Sequence, residues 1–329
     1  MQPYANNGPV NTDVDFDTSH VKGKTAVVTG GANGIGESYV RALTKAGAFV
    51  VIADLDTEEG TRLEKEFDGS AKFVKTNVTV WADQLAAFKT AISSSPSGRV
   101  DIVVANAGIS GADSNREDIL LTIPGTVEAE EPEEPKLNIV NVNLIGVLYT
   151  IKLALHYFRR QNALNKEGPL DQVLVLQGSL AGYLDLAGAV QYIASKFGLR
   201  GIMRSLRQTE HVHNIRVNYI GPWFVETKIL SKPVVQHLTG QGISFATVDD
   251  AAQCLMRIVS DPSVNGRAFA IVTRDVAPRG YVDINVDDYE PDTLLGKLQG
   301  TVAGGSDHRT ALKPEDQKTK TQWSESAAN

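Results

Sequence analysis

Cysteine is almost absent from this chain: Cys254 is the only one in 329 residues. No intrachain disulfide can form, and a reducing compartment is expected. That thiol lies in the apolar stretch Ala251-Ala252-Gln253-Cys254-Leu255-Met256, a buried helix face where a free cysteine packs as a small hydrophobe. Positive charge is in deficit, with a net charge of −7. Nucleic acid and anionic membrane are therefore excluded as main partners, because both call for a basic surface. Histidine is scarce too. His211 and His213 stand two apart with no third ligand in view, so no metal site is expected. No run approaches the ~20 apolar residues of a membrane span, and the polar Met1 to His20 segment lacks the apolar core of a signal peptide. The expectation is a soluble, cytoplasmic protein.

The chain is 42% hydrophobic and 22% charged, enough apolar material for a sizeable core. Residues 1–22, rich in Asn, Asp, Gly and Pro, and the polar stretch 300–329 read as tails or surface wraps. Between them, short β-branched runs alternate with helical patterns, which implies βαβ units around a parallel sheet. Seven strands are expected: Thr25–Thr29, Ala48–Ala53, Phe73–Thr76, Val100–Ala105, Gln172–Leu176, Ile215–Ile220 and Ala268–Val272. The first helix spans about Gly34 to Ala46 and stops at Gly47, which tolerates a left-handed backbone. The fold class is α/β: one doubly wound, Rossmann-type domain over 23–280, with helices on both faces and a C-terminal extension over 281–329. Residues 109–137 form a long acidic connection, read either as a solvated loop or as a lid over a site.

The first strand runs into Thr29-Gly30-Gly31-Ala32-Asn33-Gly34-Ile35-Gly36 and then a helix. A pyrophosphate needs bare backbone N–H groups at a helix N-terminus, where side chains would block its approach. Glycine answers that need. Asp54 ends the second strand, 18 residues after Gly36. Its carboxylate can accept from ribose hydroxyls and would repel a 2′-phosphate, and the neighbouring Asn33, Leu55 and Asp56 offer no cation. The expected cofactor is NAD.

The spacing Thr29-Gly30-x-x-x-Gly34-x-Gly36, the triplet Asn106-Ala107-Gly108 after the fourth strand, and Ser179 followed thirteen residues later by the pair Tyr192-x-x-x-Lys196 occur in one order. A Tyr-x-x-x-Lys pair alone is common by chance. Together these motifs resemble the short-chain dehydrogenase/reductase family, in its short form, over about residues 22–275. The whole chain is most similar to the hydroxyprostaglandin-dehydrogenase-like branch and to fungal members serving secondary metabolism.

The resemblance implies that Asn143, Ser179, Tyr192 and Lys196 are catalytic, and that the enzyme interconverts a secondary alcohol and a ketone. It implies cofactor contacts from Gly30, Asn33, Gly34, Ile35, Gly36, Asp54, Leu55, Asn77, Val78, Asn106, Ala107, Gly108, Tyr192, Lys196, Pro222, Val225 and Thr227. A free phenol with pKa ~10 is a poor base near neutrality. Lys196, one helical turn on, is expected to lower the Tyr192 pKa together with the oxidised nicotinamide. Ser179 would donate to the substrate oxygen, and Asn143 would hold a water linking Lys196 to solvent. A homodimer or homotetramer is implied as well, with the apolar run 148–158 as core or interface. Two positions depart from the family pattern. Trp223 replaces a glycine after Pro222, and Asn77 replaces an aspartate before Val78. An extended-type epimerase or dehydratase fits the length, but its glycine spacing does not match Gly30, Gly34 and Gly36. A non-catalytic NAD-binding module would have no need of Ser179, Tyr192 and Lys196 together.

Overall fold

Side chains on a strand alternate between faces, and here both faces are apolar. Ala26 and Val28, Val50 and Ile52, Ile102 and Val104, and Val173 and Val175 enter one buried cluster. The intervening Val27, Val51, Val103 and Leu174 enter a second. A sheet of this pattern must be covered on both sides. The computed structural model describes residues 4–110, 131, 134–227 and 232–305 and shows that arrangement. Helices α1 (Gly34–Lys45) and α8 (Val248–Ser260) cover the first face, and α3 (Trp81–Ser94), α5 (Val147–Leu164) and α6 (Val190–Leu206) cover the second.

The strands are β1 (Thr25–Thr29), β2 (Phe49–Asp54), β3 (Ala71–Lys75), β4 (Ile102–Ala105), β5 (Gln172–Gln177), β6 (Ile215–Pro222), β7 (Ala268–Ile271) and β8 (Tyr281–Asp283). Their order is β3-β2-β1-β4-β5-β6-β7-β8, with β1 to β7 parallel. The seven-stranded expectation is thus corrected to eight. β8 pairs antiparallel with β7, and Arg267 at the foot of β7 donates to Asp283 across that pairing at 2.8 Å. Three residues are too few to show a period, and the bonds that fix this strand come from far away in sequence.

Two segments expected to be peripheral join the domain. β8 lies just past the expected 280 boundary, and Gly8–Asn285 forms one unit. Val10 donates from its backbone to Asp283 at 2.9 Å, and Val10 and Phe16 pack on the core. Among the described residues, 4–7 and 286–305 belong to a second unit. Its helix α9 (Leu294–Gly305) exposes Leu294, Leu295 and Leu298.

The short α4 (Asn138–Val140), a π-helical stretch Asn141–Gly146 and α5 follow one another without a break. Asn138–Leu164 is apolar and long enough by composition to cross a bilayer, contrary to the reading that no stretch approaches one. Its Val147, Ile151, Leu153, Ala154 and Phe158 are buried against the sheet, so the apolarity is that of a core helix. The remaining helices are α2 (Thr57–Glu66) and α7 (Lys232–Gly240). Most of the acidic 109–137 connection, namely 111–130 with 132–133, lies outside the described residues, as do 228–231.

Candidate active site

The strand order reverses between β1 and β4, and an open α/β sheet offers its crevice at the carboxyl ends of that pair. β1 delivers the glycine turn there. Gly30 and Gly34 have φ of +63° and +55°, left-handed conformations that favour glycine. Gly36 is glycine for space: a Cβ would stand 1.9 Å from the Gly30 carbonyl oxygen. Asn33 caps α1 without a side-chain hydrogen bond, so the first-turn N–H groups are left for an anion. Ile35 packs partly buried beside the core. These features fit a dinucleotide pyrophosphate.

β4 delivers Asn106, whose amide donates to the Thr29 and Gly30 carbonyls at 3.0 and 2.9 Å. The Asn106 and Ala107 N–H groups both donate to the Thr29 hydroxyl, at 3.0 and 3.1 Å. The triplet therefore braces the glycine turn from the next strand, and Gly108 lies beside Asn143 and Lys196. Past β6, the chain returns over the same turn. Val225 forms a bridge with Ala246, and a Cβ on Gly34 would meet Thr227 at 3.2 Å.

Asp54 accepts from the Ala32 N–H at 2.9 Å and from the Asp56 N–H at 3.0 Å. Each of its oxygens is thereby fixed at the crevice while keeping further acceptor capacity. Asn33 donates to Asp56 at 3.0 Å, and Leu55 is exposed. Arg41 and Arg62, on α1 and α2, are held by Glu37, Glu59 and Glu66. Asn77 differs from what an adenine-accepting residue needs. Its Oδ1 already accepts from Thr79 N–H and Oγ1, at 3.0 and 2.8 Å. Val78 is buried, and its carbonyl takes a 2.6 Å bond from the buried Gln84 amide, which also reaches the Gly146 carbonyl at 2.8 Å.

The four expected catalytic residues converge from β5, α6 and the π-helical stretch. Ser179 lies close enough to the Tyr192 phenol for its side chain to favour the phenolate. The Lys196 ammonium lies 5.4 Å from the Tyr192 ring centroid and donates to the Gln177 carbonyl at 3.2 Å. The four-residue helical step has placed phenol and ammonium on one face. The π-helical stretch carries Asn143, fully buried. Its Oδ1 accepts from the Ile109 N–H and its Nδ2 donates to the Ile109 carbonyl, both at 2.8 Å. That side chain clamps the post-β4 loop, a use the sequence did not reveal.

The electrostatics of the protein without cofactor run the other way from those expected with oxidised nicotinamide beside Tyr192. Burial pushes the Tyr192 phenol up from its ordinary pKa, and the Ser179 side chain only partly opposes it. Burial also pulls the Lys196 ammonium down to about 8. In the cofactor-free protein, the phenol is a weaker acid than free tyrosine.

Trp223 is partly exposed, with Phe224 at 4.7 Å and Phe245 beyond it. An aromatic wall therefore follows Pro222, whose carbonyl lies 3.5 Å from the Ser179 hydroxyl. His211 bonds the Arg207 carbonyl, and no group of three His, Cys, Asp or Glu able to hold a metal occurs among the described residues. Two residues at the site escaped the sequence reading: Gln177, which anchors Lys196, and Tyr219, which bonds Ser179. The bare Gly178 before the serine was the available signal.

Fold and site define a nicotinamide-dependent oxidoreductase acting on CH–OH groups, and the chain belongs to the short chain dehydrogenase family, whose profile matches residues 24–234. It is 36% identical to 5'-hydroxyaverantin dehydrogenase of Dothistroma septosporum, over 85% of this chain and 92% of that one. It is 32% identical to the NADP-dependent dehydrogenase M3 of a Phoma species, over 88% and 86%. With 15-hydroxyprostaglandin dehydrogenase [NAD(+)] of Mus musculus it shares 29% identity, over 84% and 98%. Both the fungal and the hydroxyprostaglandin-dehydrogenase resemblances are thereby met.

Proposed function

We propose that this chain is an NAD(H)-dependent dehydrogenase interconverting a secondary alcohol and a ketone on a small organic substrate, with Tyr192 as the acid/base. The observation that carries the reading is the convergence of Ser179, Tyr192 and Lys196 at the crevice that the glycine turn opens. When bound, the cofactor supplies or accepts the hydride. The glycine turn and the first N–H groups of α1 hold its pyrophosphate, and Asp54 accepts from the adenosine ribose. The resemblance implies that Lys196 also bonds the nicotinamide ribose. Asn77 is left to offer its amide as a donor to the adenine side, since its oxygen is engaged by Thr79.

In the reductive direction, the Tyr192 phenol gives its proton to the carbonyl oxygen while Ser179 donates a hydrogen bond to the same oxygen. In oxidation, the phenolate takes the hydroxyl proton. The raised phenol pKa favours the reductive role at neutral pH, because the proton is in place. Oxidation requires positive charge beside Tyr192 to bring the phenolate within reach. Lys196, mostly protonated below about 8, provides part of it, and the oxidised nicotinamide would provide the rest. Asn143 holds the loop through Ile109, and its family role in a water relay to Lys196 is part of the proposal.

NAD rather than NADP rests on the fixed Asp54 carboxylate, which would repel a 2′-phosphate. Association into a homodimer or homotetramer is part of the reading too, since Ile145, Leu148 and Phe197 on the α5–α6 side are exposed. Cofactor titration and NADH-linked turnover over a panel of secondary alcohols and ketones test the proposal. NADH binding with turnover of at least one ketone supports it. Tighter binding of NADPH would overturn the reading of Asp54, and NADH binding without turnover of any panel member would point to a binding module.

A further inference from the structure

The residue that immobilises Ser179 stands on the neighbouring strand and belongs to no motif. The Ser179 N–H donates to the Tyr219 hydroxyl at 2.9 Å, and that hydroxyl donates to the Ser179 carbonyl at 2.7 Å. One phenol thus serves both backbone groups of a residue just beyond the end of β5, where no ladder partner remains for them. The Tyr219 ring is fully buried. Tyr183 meets it edge-on at 5.8 Å, and the Arg200 guanidinium lies 4.1 Å from the far ring.

Two glycines make the room. A Cβ on Gly178 would fall 1.8 Å from the Tyr219 ring, and one on Gly182 would fall 2.5 Å from its hydroxyl. Neither is among the positive-φ residues, so space rather than backbone conformation accounts for glycine at both. Large Tyr219 and small Gly178 and Gly182 therefore form one device, with Ser179 held between the glycines. The Ser179 hydroxyl is tied to the same frame, accepting from the Ala181 N–H at 3.1 Å.

We propose that Tyr219 is a positioning residue for catalysis: its hydroxyl fixes the Ser179 backbone so that the serine hydroxyl meets Tyr192 and the substrate oxygen. The proposal rests on the role given above to Ser179. Tyr219→Phe keeps the ring and removes the two bonds to the Ser179 backbone.

A double-mutant cycle with Ser179→Ala tests it. Tyr219→Phe alone should lower kcat/KM for a ketone about 10-fold or more, as small misplacements of reacting groups do, with NADH affinity unchanged within about 2-fold. On the Ser179→Ala background, the same change should cost less than about 2-fold, because its effect passes through the serine. Full additivity would overturn the proposal, since a purely structural tyrosine acts regardless of residue 179. Two readouts need no substrate and separate this inference from the dehydrogenase reading. A crystal structure of Tyr219→Phe should show the Ser179 hydroxyl off Tyr192 while Tyr192 and Lys196 stay in place, and an unmoved serine would contradict the assignment. In the wild type, the Ser179 amide should exchange slowly with solvent. Exchange at the rate of an open loop would contradict it even if the variant does not fold.

Discussion

The buried Lys196 ammonium should make the cofactor-free protein less stable than it could be, and the cost should depend on pH in a defined way. Its pKa falls from the ordinary 10.5 to about 8 through burial. At about 1.4 kcal/mol per pH unit, that corresponds to about 3 kcal/mol. Below pH 8 the lysine is charged in both folded and unfolded chains, so the whole penalty is present. Between pH 8 and 10.5 the unfolded chain binds the extra proton, and folding stability rises with pH. Above that range both forms are neutral and the penalty is gone. Lys196→Met removes the charge but leaves the Gln177 carbonyl without its 3.2 Å donor, which returns about 1 kcal/mol or more. The net expectation is a variant about 1–2 kcal/mol more stable at pH 7, with the advantage closing as pH rises above 8. Urea unfolding of both proteins from pH 6 to 9.5 measures this. A variant less stable than wild type throughout, or a difference that does not change with pH, would refute the claim that the ammonium is desolvated.

Three further outcomes are expected. Gly36→Ala should abolish NADH binding or folding, because a Cβ there stands 1.9 Å from the Gly30 oxygen; a variant titrating like wild type would remove the glycine turn from the cofactor site. Asp54→Ala should narrow the preference for NADH over NADPH by at least about 10-fold in dissociation constants, roughly the size of a single charge effect. Asp283→Asn leaves the buried Arg267 guanidinium short of its carboxylate and should cost about 3–5 kcal/mol, read as a Tm drop of roughly 6–20 °C for a domain this size.

Legibility followed the range of the interactions. The apolar runs of β1 to β7 and the turn from Gly30 to Gly36 are local patterns, so the sheet's parallel part and the place of the glycine turn could be read directly. Ser179, Tyr192 and Lys196 were singled out through the family resemblance, and the end of β5 and α6 bring them together. β8 was not, because Tyr281, Val282 and Asp283 are too short to show a period and owe their place to Arg267. Residues 1–22 read as a tail or surface wrap, and only the folded sheet gives Val10 and Phe16 a surface. Tyr219, Gln177 and Gln84 act through contacts with residues distant in the chain. The upward shift of the Tyr192 pKa in the absence of cofactor was not legible for a related reason. Spacing shows that Lys196 is near but not that both groups are removed from water.

The most direct test compares the wild type with Tyr192→Phe, measuring ketone turnover and NADH affinity on the same preparations. The account predicts that turnover falls by at least about 100-fold, within the usual range for losing a general acid, while the NADH dissociation constant stays within about 3-fold. Turnover by the phenylalanine variant at a rate near wild type would contradict it.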